Sequence, residues 1–209
     1  GEVVQPATPA FLGDWSVGDR RGTRKDLADW LVSPDNPLTA RVAVNRIWAE
    51  LFGRGLVTTM DDFGRQGAKP SHPGLLDWLA VTFRDDDSWS MKRTIRRIVL
   101  SATYRQSAAA GSAKRAGDPD NVFYARAPGG RLVAELVRDN ALCISGLLSR
   151  KMFGPPVRPV QPAKVWRVIG EVDNTYYLSK GEDLYRRGIY TLWRRSAHYP
   201  SFANFDAPN

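Results

Sequence analysis

Arg41, Asn45, Asp62 and Asp139 are the polar side chains whose types could assemble chemistry in this chain. Arg41 and Asn45 stand one helical turn apart inside an apolar stretch, so they can touch each other. Asp62 lies just beyond the turn that ends that stretch, and Asp139 lies in a later helical pattern. Acid–base cleavage of a carbohydrate-like substrate needs paired carboxylates a few ångströms apart, here with aromatic walls around them. The same four residues also suit a buried network that binds nothing. A guanidinium enclosed by Trp48 and Phe52 keeps its charge and has to be met by an acidic residue or by several carbonyls. The sequence leaves both readings open, and the catalytic residues, if the chain has any, are unknown.

Other residue types with chemical potential offer less. Cys143 stands alone and cannot form an internal disulfide; its spacing among Leu142, Ile144, Leu147 and Leu148 predicts a buried thiol. No C-x-x-C-H motif occurs, so no covalent haem of that kind is expected on this chain. His72 lacks a second ligand within a turn or two and reads as a helix-entry residue. The glycines at Gly53, Gly55, Gly64 and Gly67 lack the phosphate-cradle patterns and read as structural turns. Asp85-Asp86-Asp87-Ser88 lacks the alternation of a calcium loop and reads as a solvated turn. The expectation is therefore no metal and no cofactor on this chain.

The element that positions Arg41 and Asn45 is the stretch from Asn36 to Gly55. Asn36 suits the cap, Pro37 the first helical position and Gly53 a left-handed stop, which predicts a helix from Pro37 to Phe52. Leu38, Val42, Val44, Ile47, Trp48, Leu51 and Phe52 cover most of its surface. Thr39, Arg46 and Glu50 leave a narrow wettable strip. A helix apolar nearly all round belongs at the centre of a core.

Around it, Thr23 to Asp26 has capping-box spacing ahead of a short helix through Leu27, Trp30 and Leu31. Ser71 is placed to cap a helix through Leu75, Leu76, Trp78, Leu79 and Phe83, and Ser90 to cap one through Ile95 and Ile98. Lys92, Arg93, Arg96 and Arg97 lie on the outer face of the latter. The longest helical pattern runs from Arg131 to about Arg150, with Leu132, Val133, Leu136, Val137, Asn140, Ala141, Ile144, Leu147 and Leu148 in a stripe expected to pack on the central helix. After Pro155 the pattern turns aromatic and β-branched. Val165 to Ile169 is ambiguous, Arg187 to Trp193 alternates like a strand, and Asp173 to Thr175 resembles a turn, which suggests a small antiparallel pair.

The fold class expected is mainly α: a helical core with an irregular C-terminal segment holding a short antiparallel β element. The divisions are 1–22, an extended arm; 23–153, the helical core; and 154–209, a Pro- and aromatic-rich segment packed on it and read as truncated. With 209 residues, 43% of them hydrophobic and 11% aromatic, the chain can bury a sizeable core. The net charge of +8 comes from 30 basic against 22 acidic residues, spread along the chain rather than gathered. That distribution predicts only weak, salt-sensitive nucleic-acid binding. No run of about eighteen apolar residues suggests a membrane span, and no leader peptide is legible at Gly1.

The ordered motifs Pro37-Leu38-Thr39-Ala40-Arg41-Val42, Asn45-Arg46-Ile47-Trp48, Phe52-Gly53-Arg54-Gly55-Leu56-Val57, Asp62-Phe63-Gly64, His72-Pro73, Leu75 to Leu79 and Ser101 to Ser107 resemble a planctomycete-type domain of unknown function, the PSD family. Arg131-Leu132 to Arg138-Asp139 and Gly154 to Pro159 fit the same resemblance. It implies a periplasmic or extracellular setting, in a large exported protein where such a domain follows cytochrome-c-like domains. Haem c would then sit on another domain of the parent, and the partners would be those other domains and a C-terminal companion segment. The resemblance carries no catalytic residues.

Three functions follow as expectations. The first is a scaffold or interaction domain of an exported, haem-linked multi-domain protein. The second is part of an active site acting on a carbohydrate-like substrate through Arg41, Asn45, Asp62 and Asp139. The third is a weak basic nucleic-acid-binding module.

Overall fold

The computed structural model describes residues 4–205 apart from 14, 16, 110, 164, 167–174 and 196. It is mainly helical and divides into two compact units, 1–130 and 131–209. The boundary between these units falls ahead of the long helical pattern.

In the first unit the helices are α1 (Arg24–Leu31), α2 (Thr39–Phe52), α3 (Pro73–Arg84), α4 (Met91–Val99), α5 (Ala102–Arg105) and α6 (Ser112–Gly117). Several of the start signals act as their chemistry dictates. Thr23 and Asp26 form a reciprocal capping box at α1. Asn36 Oδ1 accepts from the N–H groups of Leu38 and Thr39, at 2.9 and 3.1 Å, while α2 itself starts at Thr39, two residues later than Pro37, with Leu38 at its cap position. Gly53 closes it at φ +74°, a left-handed position that costs glycine nothing. Ser90 caps α4 by accepting from Arg93 N–H. At α3 the cap position is His72, not Ser71, with Pro73 at the first helical position.

α2 is the central helix. It buries Ala40, Val44, Asn45, Ile47, Trp48 and Phe52 against α3 and α4, while Arg46 and Glu50 stay exposed. Trp48 and Phe52 stack at 4.1 Å, and Tyr124 meets both rings edge-on at 5.2 Å. Such offset and edge contacts add to what area burial alone supplies. Leu56, Val57, Leu76, Leu79 and Phe83 complete the core.

In the second unit α7 spans only Ala134–Ile144 and packs on the 3-10 turn Gly188–Tyr190 and on α8 (Pro200–Asn204). Ala134 is its buried residue. Most of the stripe expected to be covered is instead exposed: Leu132, Val133, Leu136, Asn140, Ala141, Ile144 and Leu147 face solvent, while Val137 and Leu148 are half-buried. Cys143 is exposed too, so the expectation of a buried thiol is corrected. The helix is shorter at both ends than the spacing predicts, and spacing says which residues share a face, not whether anything covers it.

The expected antiparallel pair is absent among the described residues. Arg187 to Trp193 bends into the 3-10 turn, and its backbone groups pair in isolated parallel bridges, Val157 with Thr191 and, just before it, Ser149 with Arg186. Val157 N–H donates to Tyr190 O at 2.7 Å, and Leu192 N–H donates to Val157 O at 2.8 Å. Backbone satisfaction, which a strand pair would have supplied, is met singly. Residues 167–169 of the ambiguous stretch, and Asp173 and Asn174 of the expected turn, lie outside the described residues.

Candidate functional site

The residues named from sequence on α2 have separate partners. Asn45 is fully buried and clamps the chain after Gly55: its Nδ2 donates to Val57 O and its Oδ1 accepts from Val57 N–H, each at 2.9 Å. The amide thereby stands in for a neighbouring strand at a buried peptide that has left the helix. A Cβ on Gly55 would lie 2.6 Å from Val57 O and 2.8 Å from Asn45 Nδ2, so the clamp requires glycine there.

Arg41 is not enclosed. Its long side chain runs off the apolar face to the rim, where Nε donates to Asp77 Oδ1 of α3 at 2.7 Å and Nη1 donates to Pro37 O. The side chains of Arg41 and Asp77 are 34% and 55% exposed. This corrects the expectation of a buried guanidinium, because an arginine on an apolar arc can keep its stem on the core and its head in water. The pair divides two open hollows. One, of about 350 Å³, has Leu38, Val57, Phe63, Pro70 and Leu76 in its wall. The other, of about 260 Å³, reaches Asn36, Ala80 and Arg84. The first can receive an apolar group with a polar end; Asp77, the carboxylate in its lining, is already held by Arg41 and does not face a second acid.

Asp62 joins neither Arg41 nor Asn45. Its Oδ1 accepts from Gly64 N–H at 2.7 Å, and its carbonyl accepts from Thr59 Oγ1 at 2.7 Å, an Asx-type turn. Asp139 belongs to the second unit, where it accepts from Arg187 Nε at 3.0 Å and from Gly188 N–H. The four candidates therefore hold four local structures: Arg41 pairs with Asp77 and not with Asp62, Asn45 clamps Val57, Asp62 closes its own turn, and Asp139 is engaged within the second unit.

Two further ionic sites involve Asp87 and Arg186, which no motif in the sequence marks as such. Asp87, expected in a solvated turn, is only 3% exposed, which corrects that expectation. It accepts from Thr94 Oγ1 at 2.9 Å and from Arg97 Nη2 at 2.8 Å. The hydrogen bond from Arg97 holds its carboxyl below the usual carboxylate range, opposed by burial and aided by Thr94. Ser88 and Trp89 adopt positive φ of 50° and 60°, which brings Trp89 onto Phe83 with ring centroids 5.2 Å apart and turns Asp87 inward. The available signal was the indole two residues after the acidic run.

The other is Arg186, 1% exposed. Its guanidinium donates to the carbonyls of Lys151, Phe153 and Pro155 and lies 3.9 Å from the Tyr190 ring centroid. Carbonyls and an aromatic face do here what a carboxylate does elsewhere. Phe153 and Gly154, at φ +63° and +96°, curl the chain so that these carbonyls converge. No spacing rule links Arg186 to that loop.

His72, the helix-entry residue, contacts Ser71 Oγ through Nδ1 at 3.0 Å and packs its ring near Tyr124. Among the described residues no three His, Cys, Asp or Glu side chains gather as metal ligands. No helix among them is long and apolar enough to cross a membrane.

Comparison with known proteins adds one match. The model of PSD1, a protein of unknown function (DUF1553), matches residues 23–209. No curated protein and no solved structure matches.

Proposed function

The chain belongs to the PSD1 family, proteins of unknown function, and from its geometry we propose that it is a scaffold or interaction domain of a large, exported multi-domain protein with haem on another domain. The observation that carries the interaction role is the uncovered stripe on α7. Leu136 and Ile144 share one face with Val133 just ahead of the helix, and Ile144 is 80% exposed. Apolar side chains at regular helical spacing, left in water, mark a surface made to meet another protein. The polar candidates fit the same reading, since each is spent on an internal turn, clamp or rim contact. The exported, haem-linked setting is supported by the motif resemblance described above. Its partner would be another domain of the same parent.

The test expresses the chain and the remainder of its parent as separate polypeptides and measures their association by calorimetry. Leu136→Glu with Ile144→Glu should abolish association while leaving the melting temperature of the chain unchanged, because both side chains are already exposed. Association that ignores this pair of charges, or no association at all, would overturn the proposal.

A further inference from the structure

We infer that the hollow beside α4 is a binding site for a phosphate or sulfate group. The hollow, about 420 Å³ and open, is lined by Arg93, Arg96, Arg97, Asp86, Asp87 and Leu100. Positions 93, 96 and 97 fall on one helical face because they are three and four residues apart. Thr94 and Ile98, on the opposite face, are buried and fix which way that face points.

One of the three guanidiniums is built in. Asp87 sits at the base, almost wholly buried, and anchors Arg97 at 2.8 Å. The Asp87 turn is itself fixed, its N–H donating to Thr82 O at 2.8 Å and its carbonyl accepting from Ser90 N–H at 2.9 Å. The Trp78 ring centroid lies 6.0 Å from the Arg97 guanidinium. Arg97 is therefore preorganised before any ligand arrives, which removes part of the ordering cost of binding. Arg93 and Arg96 make no ion pair among the described residues and extend along the same wall. The Asp87 charge is matched by Arg97. Asp86 opposes one of the two remaining guanidiniums, so the lining stays positive.

Helix stability does not explain this arrangement. Arg96 and Arg97 in the last turn complement the helix dipole, but Lys92 and Arg93 stand in the first turn, where a cation opposes it, and no acidic residue accompanies them there. Arg93 and Arg97 are also like charges at i, i+4, which weakens a helix. A multiply charged oxyanion removes both penalties, and guanidinium forks match its oxygens two at a time.

The experiment titrates the chain at low salt with inorganic pyrophosphate and, separately, with inorganic sulfate, followed by calorimetry. Arg93→Gln with Arg96→Gln should weaken binding roughly tenfold or more, as loss of charge-assisted hydrogen bonds does. Lys25→Gln on α1 should leave affinity unchanged, separating this site from the general positive charge of the chain. All variants should melt like the parent, since the replaced side chains are exposed. Saturation by pyrophosphate alone assigns a phosphate ester, by sulfate alone a sulfate ester, and by both an unselective oxyanion site. Absence of saturable binding by either, or a double variant that binds like the parent, overturns the inference.

Discussion

Asn45 and Val57 are joined by two hydrogen bonds of 2.9 Å that reproduce, with a side-chain amide, the exchange one peptide makes with another across paired strands. Both residues are buried, at 0% and 2% exposure, so bulk solvent does not reach these groups. Asn45→Ala strands both backbone groups of Val57 and should cost about 2 to 4 kcal/mol, from two buried unsatisfied groups. Asn45→Asp keeps the acceptor and turns the donor into an oxygen facing Val57 O, and should be no better tolerated. Chemical denaturation measures both; a loss below about 1 kcal/mol for Asn45→Ala would mean the clamp is not what holds the chain after Gly55.

The two notable arginines should behave in opposite ways. Arg41→Ala breaks a partly exposed ion pair with Asp77 and should cost at most about 1 kcal/mol, far less than the 3 to 5 kcal/mol that enclosure between Trp48 and Phe52 would have implied. Arg186→Ala leaves the carbonyls of Phe153 and Pro155 without a buried donor and exposes a gap against Tyr190. It should cost about 3 kcal/mol or more. Arg186→Lys should fall in between, because a single ammonium cannot serve the diverging carbonyls as a planar fork does. Denaturation curves in which Arg41→Ala is the more damaging change would reverse this assignment.

Asp87 makes stability depend on acid. Its folded pKa is lowered, so its contribution is present above the unfolded value of about 3.9 and is lost as pH falls below that value through the folded one. Asp87→Asn should cost about 1 to 3 kcal/mol near neutral pH, and the gap between variant and parent should close as both are acidified. Other lowered carboxylates, such as Asp26 and Asp118, are present in both proteins and cancel in the difference. A gap that is constant with pH would show that Asp87 acts by shape and not by charge.

Among the described glycines of the second unit, Gly188 makes the closest approach to a neighbour. A Cβ there would lie 2.7 Å from both Cα and O of Glu135 on α7, backbone atoms that cannot swing aside. The same glycine donates its N–H to Asp139. Gly188→Ala should therefore loosen the docking of α7, giving faster amide exchange along Ala134–Ile144 at a stability cost of about 1 to 3 kcal/mol. Unchanged exchange in α7 would mean the backbone moves apart at no cost.

What the sequence determined by itself was the set of local instructions. The box at Thr23 and Asp26, the Asn36 cap, the Gly53 stop and the Ser90 cap each depend on atoms within a few residues of one another, so neighbouring letters suffice to read them. The composition of α2 likewise announced a central helix, and the ordered motifs announced the family. Tertiary structure alone decided who meets whom. Arg41 chose Asp77, and Asp139 chose Arg187 and Gly188 nearly fifty positions away. Asp87 was carried inward by two residues at positive φ, and Arg186 was met by carbonyls with no side-chain identity to read. The α7 stripe shows the same boundary most plainly. Periodicity fixes which side chains share a face, because that follows from the helix pitch; whether that face meets protein or water depends on surfaces brought from elsewhere, and no spacing along the chain encodes them.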